Sequence, residues 1–412
     1  MIRPSIRQFL PAGIAGRGTF RRSAAARFAF AAAVIGHPLS AACAPQGAMP
    51  DENGTYQTVH HDYRVVTVAD GLMNPWSIAF VPGGDILVTE RPGRLRVVRD
   101  GMLLPDPVAG VPEVYARGQG GLLDVVLHPD FESNNLIYLS YAKPREDGGS
   151  TTQVVRGTFD GSAFTQTDVI FEAVSSGRGH YGCRLAFDGD GYLFLSIGDR
   201  QAPPRGDLAA HPAQDLSNHH GVIARLHEDG SIPQDNPFVG VEGALPEIWS
   251  YGHRNPQGVA VHPETGAVWL TEHGPQGGDE VNVAKPGLNY GWPVIGYGVN
   301  YGSGTPIHAT TFQDGMEQPV HYWVPSIGAS GLLFYTGDQF PGWKGKLLAG
   351  GLALRRVDLL TLDGETVTAS ETVVSGIGRV RDVRQGPDGF VYLAIDSRSE
   401  EATTIVRLEP TE

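Results

Sequence analysis

Several short stretches of this chain set polar side chains where they could do chemistry. Gly177-Arg178-Gly179-His180-Tyr181-Gly182-Cys183-Arg184 surrounds a histidine with glycines, so the backbone can approach a ligand closely while the imidazole is held outward. Histidine titrates near neutrality and is the usual general base. His180 is therefore a candidate base, and a hydrogen-bonded loop histidine is the blander alternative. Asp199, in Ile197-Gly198-Asp199-Arg200, is either the carboxylate that orients that imidazole, as in a triad, or a turn aspartate. Tyr251-Gly252-His253-Arg254-Asn255-Pro256-Gln257-Gly258 offers Arg254 and Asn255 in a similar setting.

Glu272-His273-Gly274-Pro275-Gln276-Gly277-Gly278-Asp279-Glu280 places acids beside Gly/Pro backbone, a mixture that suits a hard cation held through oxygen, calcium first among them. Its spacing is not that of an EF-hand, and an acidic turn would read the same way. Arg379-Val380-Arg381-Asp382 projects two guanidiniums to one side of a strand. Guanidinium forks match carboxylates, so the pair asks for a polycarboxylate, unless both arginines are solvated or paired with nearby acids. Arg117-Gly118-Gln119-Gly120-Gly121-Leu122 adds the uncharged amide of Gln119. His253, His273 and the pair His219-His220 lack the HExxH spacing of a zinc site and read as supporting or loop residues.

The elements that must carry these residues are almost all strands. Short runs rich in Val, Ile, Leu and Tyr alternate with Gly, Pro and Asp turns, and little of the chain has a helical period. One unit, an apolar strand, a turn and a second apolar strand, occurs six times: Ser77 to Thr89, Leu123 to Ser140, Arg184 to Ser196, Gly258 to Leu270, Gly331 to Gly350 and Asp382 to Leu393. This spacing fits four-stranded blades. It predicts an all-β fold, a six-bladed β-propeller, rather than a sandwich or two unrelated β domains. A propeller gathers loops from every blade around one axial mouth, so residues far apart in sequence can share a site.

With 31 Lys and Arg against 45 Asp and Glu, the 412-residue chain has a net charge of −14, a poor match for nucleic acid. Gly 55 and Pro 30 with 9% aromatics are compatible with a packed fold. Two cysteines, Cys43 and Cys183, exclude a disulfide framework or a cysteine-rich metal site, and Cys183 reads as a small packed residue. Rossmann, P-loop and strand-to-helix Gly-x-Ser-x-Gly patterns are absent. Residues 1–42 hold six arginines, no acid, and the apolar run Phe28 to Ile35, which reads as a secretory leader. Leu39-Ser40-Ala41-Ala42-Cys43 resembles a lipobox and also suits ordinary leader cleavage. An exported, periplasmic protein is expected, with Cys43 a candidate lipid anchor, a short flexible segment over 43–60 and a single propeller over 61–412.

Taken in order, Gly118-Gln-Gly-Gly-Leu-Leu-Asp-Val, Gly177-Arg-Gly-His, Glu247-Ile-Trp-Ser-Tyr-Gly-His-Arg-Asn-Pro-Gln-Gly, Glu272-His-Gly-Pro, Gly278-Asp-Glu, Asn289-Tyr-Gly-Trp-Pro and Arg379-Val-Arg-Asp resemble the quinoprotein soluble aldose sugar dehydrogenases, the family that includes soluble glucose dehydrogenase. The similarity runs from about Pro75 to Leu408. It implies pyrroloquinoline quinone, a tricarboxylated o-quinone, with Ca²⁺, an aldose as substrate, a lactone as product and an external electron acceptor. By resemblance His180 takes the anomeric proton while hydride passes to the quinone, Asp199 holds His180, and Arg254 stabilises charge on the quinone oxygen. Asn255, Arg379 and Arg381 bind the cofactor; Gln119 touches the substrate or the histidine, and Trp323 covers the substrate or the cofactor. The carbonyls of Gly274 and Pro275 hold one calcium, and Glu280 with the Tyr290 carbonyl suggests a second.

The chain departs from the family at Ala353, where soluble glucose dehydrogenase has a cofactor-binding lysine; Arg355 or Arg356 is the expected substitute. Pro325 to Gly331 is also altered, and the loops that shape the glucose enzyme's pocket are shorter here, which favours broad aldose specificity. Two rival readings remain. A lactonase-type calcium propeller has no use for Arg379 beside Arg381, and a noncatalytic propeller has none for His180 with Arg254.

Overall fold

The computed structural model describes residues 48–399 and 401–411. The leader, residues 1–42, and the candidate anchor Cys43 lie outside the described residues. Those described form six antiparallel sheets, five of four strands and one of five, a six-bladed β-propeller as the repeats predict. Helix is confined to Phe131–Asn134 and three short 3₁₀ turns. The first strands of the blades, Pro75–Phe80, Leu122–Leu127, Leu185–Phe187, Pro256–Val261, Ala329–Phe334 and Arg379–Gln385, touch one another around the ring. Each pairs with a second strand: Ile86–Glu90, Leu136–Pro144, Leu193–Ile197, Val268–Glu272, Leu347–Gly351 and Val391–Asp396. Every repeat seen in the sequence is one such pair.

The second strands are largely apolar and almost wholly buried because a neighbouring blade covers each face. All five residues of Leu193–Ile197 are buried, as are those of Val268–Glu272, and each buried Val, Leu or Ile contributes about 1.5–3 kcal/mol. Outer strands such as Thr366–Ser375 are largely exposed over their first half. Adjacent blades are also latched by hydroxyls on second strands that donate to the next blade's backbone: Thr89 to Leu123, Ser140 to Cys183, Ser196 to Pro256 and Thr271 to Ser330, at 2.5–3.2 Å.

The ring closes where Asp62–Met73 pairs with the C-terminal strand Ala402–Pro410, in the register Tyr63↔Pro410 to Met73↔Ala402. The stretch 43–60, expected to be flexible and outside the propeller, contains a strand of this last sheet, Thr55–Gln57, with the Tyr56 ring stacked on Tyr63 at 5.4 Å. Near the axis, buried Arg184 bridges Asp124 at 3.3 Å and Asp382 at 3.0 Å and lies over the Trp76 ring at 4.0 Å.

Candidate active site

Antiparallel pairing puts the start of each first strand beside the end of its second strand, as in Pro256↔Glu272 and Arg379↔Asp396. Loops entering the first strands and leaving the second strands therefore share one face. Gln119, His180, Arg254 and Asn255 precede first strands, Arg379 and Arg381 open one, and Asp199, Gly274 and Pro275 follow second strands.

His180 Nδ1 is 2.6 Å from Asp199 Oδ1, and Nε2, with no hydrogen-bond partner among the described residues, belongs to a side chain lining a cavity of about 380 Å³. A carboxylate on Nδ1 fixes the tautomer whose Nε2 is unprotonated. Burial, opposed by Asp199 and assisted by Arg254, lowers the His180 pKa below its usual 6.5, which keeps the imidazole neutral. Burial also works against ionised Asp199, yet His180 and Arg254 outweigh it and hold the carboxyl below the ordinary value.

The loop that carries His180 is tied down on both sides. The His180 N–H donates to Gln119 Oε1 at 2.7 Å, while His180 itself adopts a left-handed φ of 45°. Arg200 donates to the carbonyls of Gly179 at 2.8 Å and Gly177 at 2.9 Å and stacks on Tyr181. Gly198 is required here, because a Cβ would stand 2.3 Å from the His180 carbonyl oxygen.

Trp292, quoted only as part of a motif in the sequence, completes the pair. Its Nε1–H donates to Asp199 Oδ2 at 2.8 Å and its ring lies 5.2 Å from the Arg254 guanidinium. Trp323, expected at the substrate, is not brought to the site. It is buried among core residues that include Trp269 and Ile327, with Nε1–H on Asp358 Oδ2 at 3.0 Å. A sequence pattern of apolar neighbours does not tell one buried indole from another; Trp292 and Tyr301 are the aromatics that line the His180 cavity.

A second cavity of about 470 Å³ is lined by Asn255, Gln257, Arg379, Arg381, Arg91, Arg398 and Trp76, among others. Gln119 and His273 line both cavities, so His180 and the arginine-rich chamber are neighbours. His273, read from sequence as a supporting or loop residue, is more central than that. Burial first, then Arg254 and Arg381, lower its pKa to about 4 against the pull of Asp279. Arg254 donates from Nη1 to the carbonyls of His273 at 2.9 Å and Gly274 at 2.6 Å, and its backbone N–H to Glu272 at 2.6 Å. The Nε atoms of Arg254, Arg379 and Arg381 are buried without a partner. Such a donor set fits a polyanionic ring compound.

The expected substitutes for the family lysine do not reach this chamber. Leu352 lines it, but Arg355 and Arg356 do not, and Arg356 Nη2 is 2.7 Å from Asp358. Cys183 is fully buried and its thiol is pushed up to about 12 by burial.

No group of three or more His, Cys, Asp or Glu side chains among the described residues could hold a metal ion, so any cation must be held largely through backbone oxygen. The Gly274-Pro275 turn suits that. The Gly274 carbonyl accepts one bond from Arg254 and has a second lone pair, and Pro275 lines the His180 cavity. Gly274 has no room for a side chain, a Cβ there lying 2.0 Å from the Gly278 carbonyl. Glu280 and Tyr290 border a small void of about 20 Å³ with Glu272 and Gly274. Burial, with Glu272 nearby, raises the Glu280 pKa well above the usual carboxylate value, the state of an acid lacking a counter-charge. The Tyr290 hydroxyl is engaged with Val283 and Lys285, leaving its carbonyl as the donor.

Residues 72–407 match the family model described as "Glucose / Sorbosone dehydrogenase". Aldose sugar dehydrogenase YliI of Escherichia coli (strain K12) is 44% identical over 345 residues, covering 82% of this chain and 91% of that one. The crystal structure of the soluble aldose sugar dehydrogenase from Escherichia coli in the apo form superposes with a TM-score of 0.79 at 41% identity, covering 85% of this chain and 100% of that one. The PQQ-bound form of aldose sugar dehydrogenase from Streptomyces coelicolor gives 0.67 at 29% identity, covering 84% of this chain and 98% of that one.

Proposed function

The chain belongs to the glucose/sorbosone dehydrogenase family, and from that premise we propose that it oxidises aldoses at the anomeric carbon to lactones with pyrroloquinoline quinone and Ca²⁺ as cofactors. The observation that carries this reading is the junction of two chambers at Gln119 and His273, one holding a neutral, carboxylate-backed imidazole and the other walled by four arginines against one carboxylate, three of them with a buried Nε that has no hydrogen-bond partner.

Within this reading, the sugar occupies the His180 cavity and His180 Nε2 accepts the proton of the anomeric hydroxyl. Asp199 stabilises the imidazolium that results, and Trp292 keeps the carboxylate in place. Arg254 sets positive charge where negative charge develops in the transition state. Asn255, Arg379 and Arg381 hold the cofactor's acid groups; Gly274 and Pro275 present carbonyls to one calcium, and Glu280 with the Tyr290 carbonyl to another. When bound, the quinone supplies a two-electron acceptor for hydride, and an external acceptor removes the electrons. The leader read in residues 1–42 supports export to the periplasm, where that acceptor would be met.

The test is dialysis against chelator, followed by aldose-driven dye reduction with Ca²⁺ and quinone added singly and together. Turnover is expected only when both are present. Turnover without quinone would overturn the reading.

A further inference from the structure

We propose that Arg91 and Arg398, neither of which belongs to the residues assigned above, complete the anion cradle, and that its charge is set for a ligand bearing three carboxylates. This deepens the quinone reading and rests on it.

Four guanidiniums line the larger cavity, those of Arg91, Arg379, Arg381 and Arg398, against one carboxylate, Asp396. Three positive charges are left over. Asp396 is already shared, its Oδ2 lying 3.7 Å from Arg379 Nε and 3.4 Å from Arg381 Nη2 while Oδ1 accepts from Asn74 at 3.3 Å. Among the described residues no carboxylate comes within ion-pair distance of Arg91 or Arg398. Arg91 donates from Nη1 to the Gly118 carbonyl at 2.9 Å, and its Nε is buried without an acceptor, as are those of Arg379 and Arg381.

Elsewhere in the ring, Arg184 and Arg384 share Asp124 and Asp382, and buried Arg200 is held by the carbonyls of Gly177, Gly179 and Ser150 and by the face of Tyr181. In this chamber four arginines are gathered on one wall with a single carboxylate. Like charges crowded together, with Arg381 buried among them, are unfavourable unless an anion joins them. Burial first, with Arg91, Arg379 and Arg184 adding their repulsion, draws the Arg381 pKa down to about 10 despite Asp396, as such crowding requires.

Position agrees with charge. Arg91 follows the second strand of the first blade and Arg398 that of the last, the place in the blade that Asp199 and Gly274 occupy in theirs. The two therefore approach from either side of the join between first and last blades, with Arg379 and Arg381 beside them. The fifth blade contributes Leu352 and no charge to this wall; the cationic partner missing at Ala353 is made good from the seam.

The test uses the full-length protein stripped with chelator and resupplied with saturating Ca²⁺. Pyrroloquinoline quinone binding is titrated by calorimetry over a range of NaCl concentrations, for wild type, Arg91→Gln, Arg398→Gln and, as a control outside the chamber, Arg99→Gln. Losing a charge-assisted contact should raise Kd by about 10- to 100-fold for Arg91→Gln, and somewhat less for the exposed Arg398→Gln. Each variant should flatten the dependence of log Kd on log salt, and Arg99→Gln should change neither. Arg91→Lys retains the charge and should recover part of the affinity, which separates loss of the cradle from loss of the fold. Tight wild-type binding with Arg91→Gln and Arg398→Gln within twofold of it, at an unchanged salt slope, would overturn this inference alone. No quinone binding by wild type would overturn it together with the reading beneath it.

Discussion

Two imidazole–carboxylate pairs stand in corresponding places in neighbouring blades, each with the histidine before a first strand and the acid at or just beyond the end of a second strand. His180 Nδ1 lies 2.6 Å from Asp199, and His253 Nδ1 lies 3.0 Å from Glu272. Their far sides differ. His180 Nε2 is unpartnered beside a cavity, whereas His253 Nε2 is 2.9 Å from Ser250 Oγ and its ring is stacked on Tyr290 at 4.5 Å. Ser250, His253 and Glu272 together have the composition of a hydrolytic triad, yet Ser250 and His253 are both 0% exposed, so no substrate can reach them. The pair that can act is the one whose second nitrogen has been left open; the sealed pair instead fixes Glu272, which receives the Arg254 N–H.

The most severe way to break this contrast is His180→Asn. It should lower kcat by about 10³-fold, within the usual range for losing a general base, with little change in melting temperature, since only one partially open pair is lost. A variant that retained near wild-type turnover would show that the open nitrogen is not the base.

His253→Gln should do the reverse. Removing a buried partner from Glu272 and Ser250 costs about 2–4 kcal/mol of stability, read as a lower midpoint in urea, while turnover per folded molecule falls less than tenfold. A collapse of turnover without loss of stability would mean that the sealed pair takes part in the reaction.

The smallest effect sharpens the comparison. His180 must be neutral to accept a proton, so kcat/KM should rise with pH through a value below 6.5 and then level off. The charged groups facing it are Asp199, Arg254 and Arg200. Trp292→Phe removes the donor from Asp199 Oδ2, leaves more negative charge facing the imidazole and raises its pKa. The acid limb of the profile should shift to higher pH, with about a three- to tenfold loss near neutrality. An unshifted limb would leave Trp292 with a packing role only.

The sequence made some of this legible and hid the rest for physical reasons. Six repeats could be seen because first and second strands are walled by other blades and carry short apolar runs on either side of a turn, whereas the half-exposed outer strands carry no such mark. His180, Arg254 and Arg379 stood out because glycine or a paired charge flagged their loops. Trp292 and Arg91 did not: the value of the first lies in one indole N–H, and that of the second in being the residue just past a second strand. Strand register would have exposed Arg91, since Glu90 lies opposite Pro75 in the same way that Glu272 lies opposite Pro256. The expectation for Trp323 failed because burial and function use the same side chain, and Arg355 and Arg356 failed as lysine substitutes because they lie outside the chamber, Arg356 being paired with Asp358.

The pairing of Asp62–Met73 with Ala402–Pro410 joins stretches more than 300 residues apart within the last blade, and the guanidinium wall is built from that blade and the first. A small polyanion gripping both would act as a rivet through the buckle of a hoop. Seating the ligand and keeping the hoop shut would then be a single event viewed from two sides.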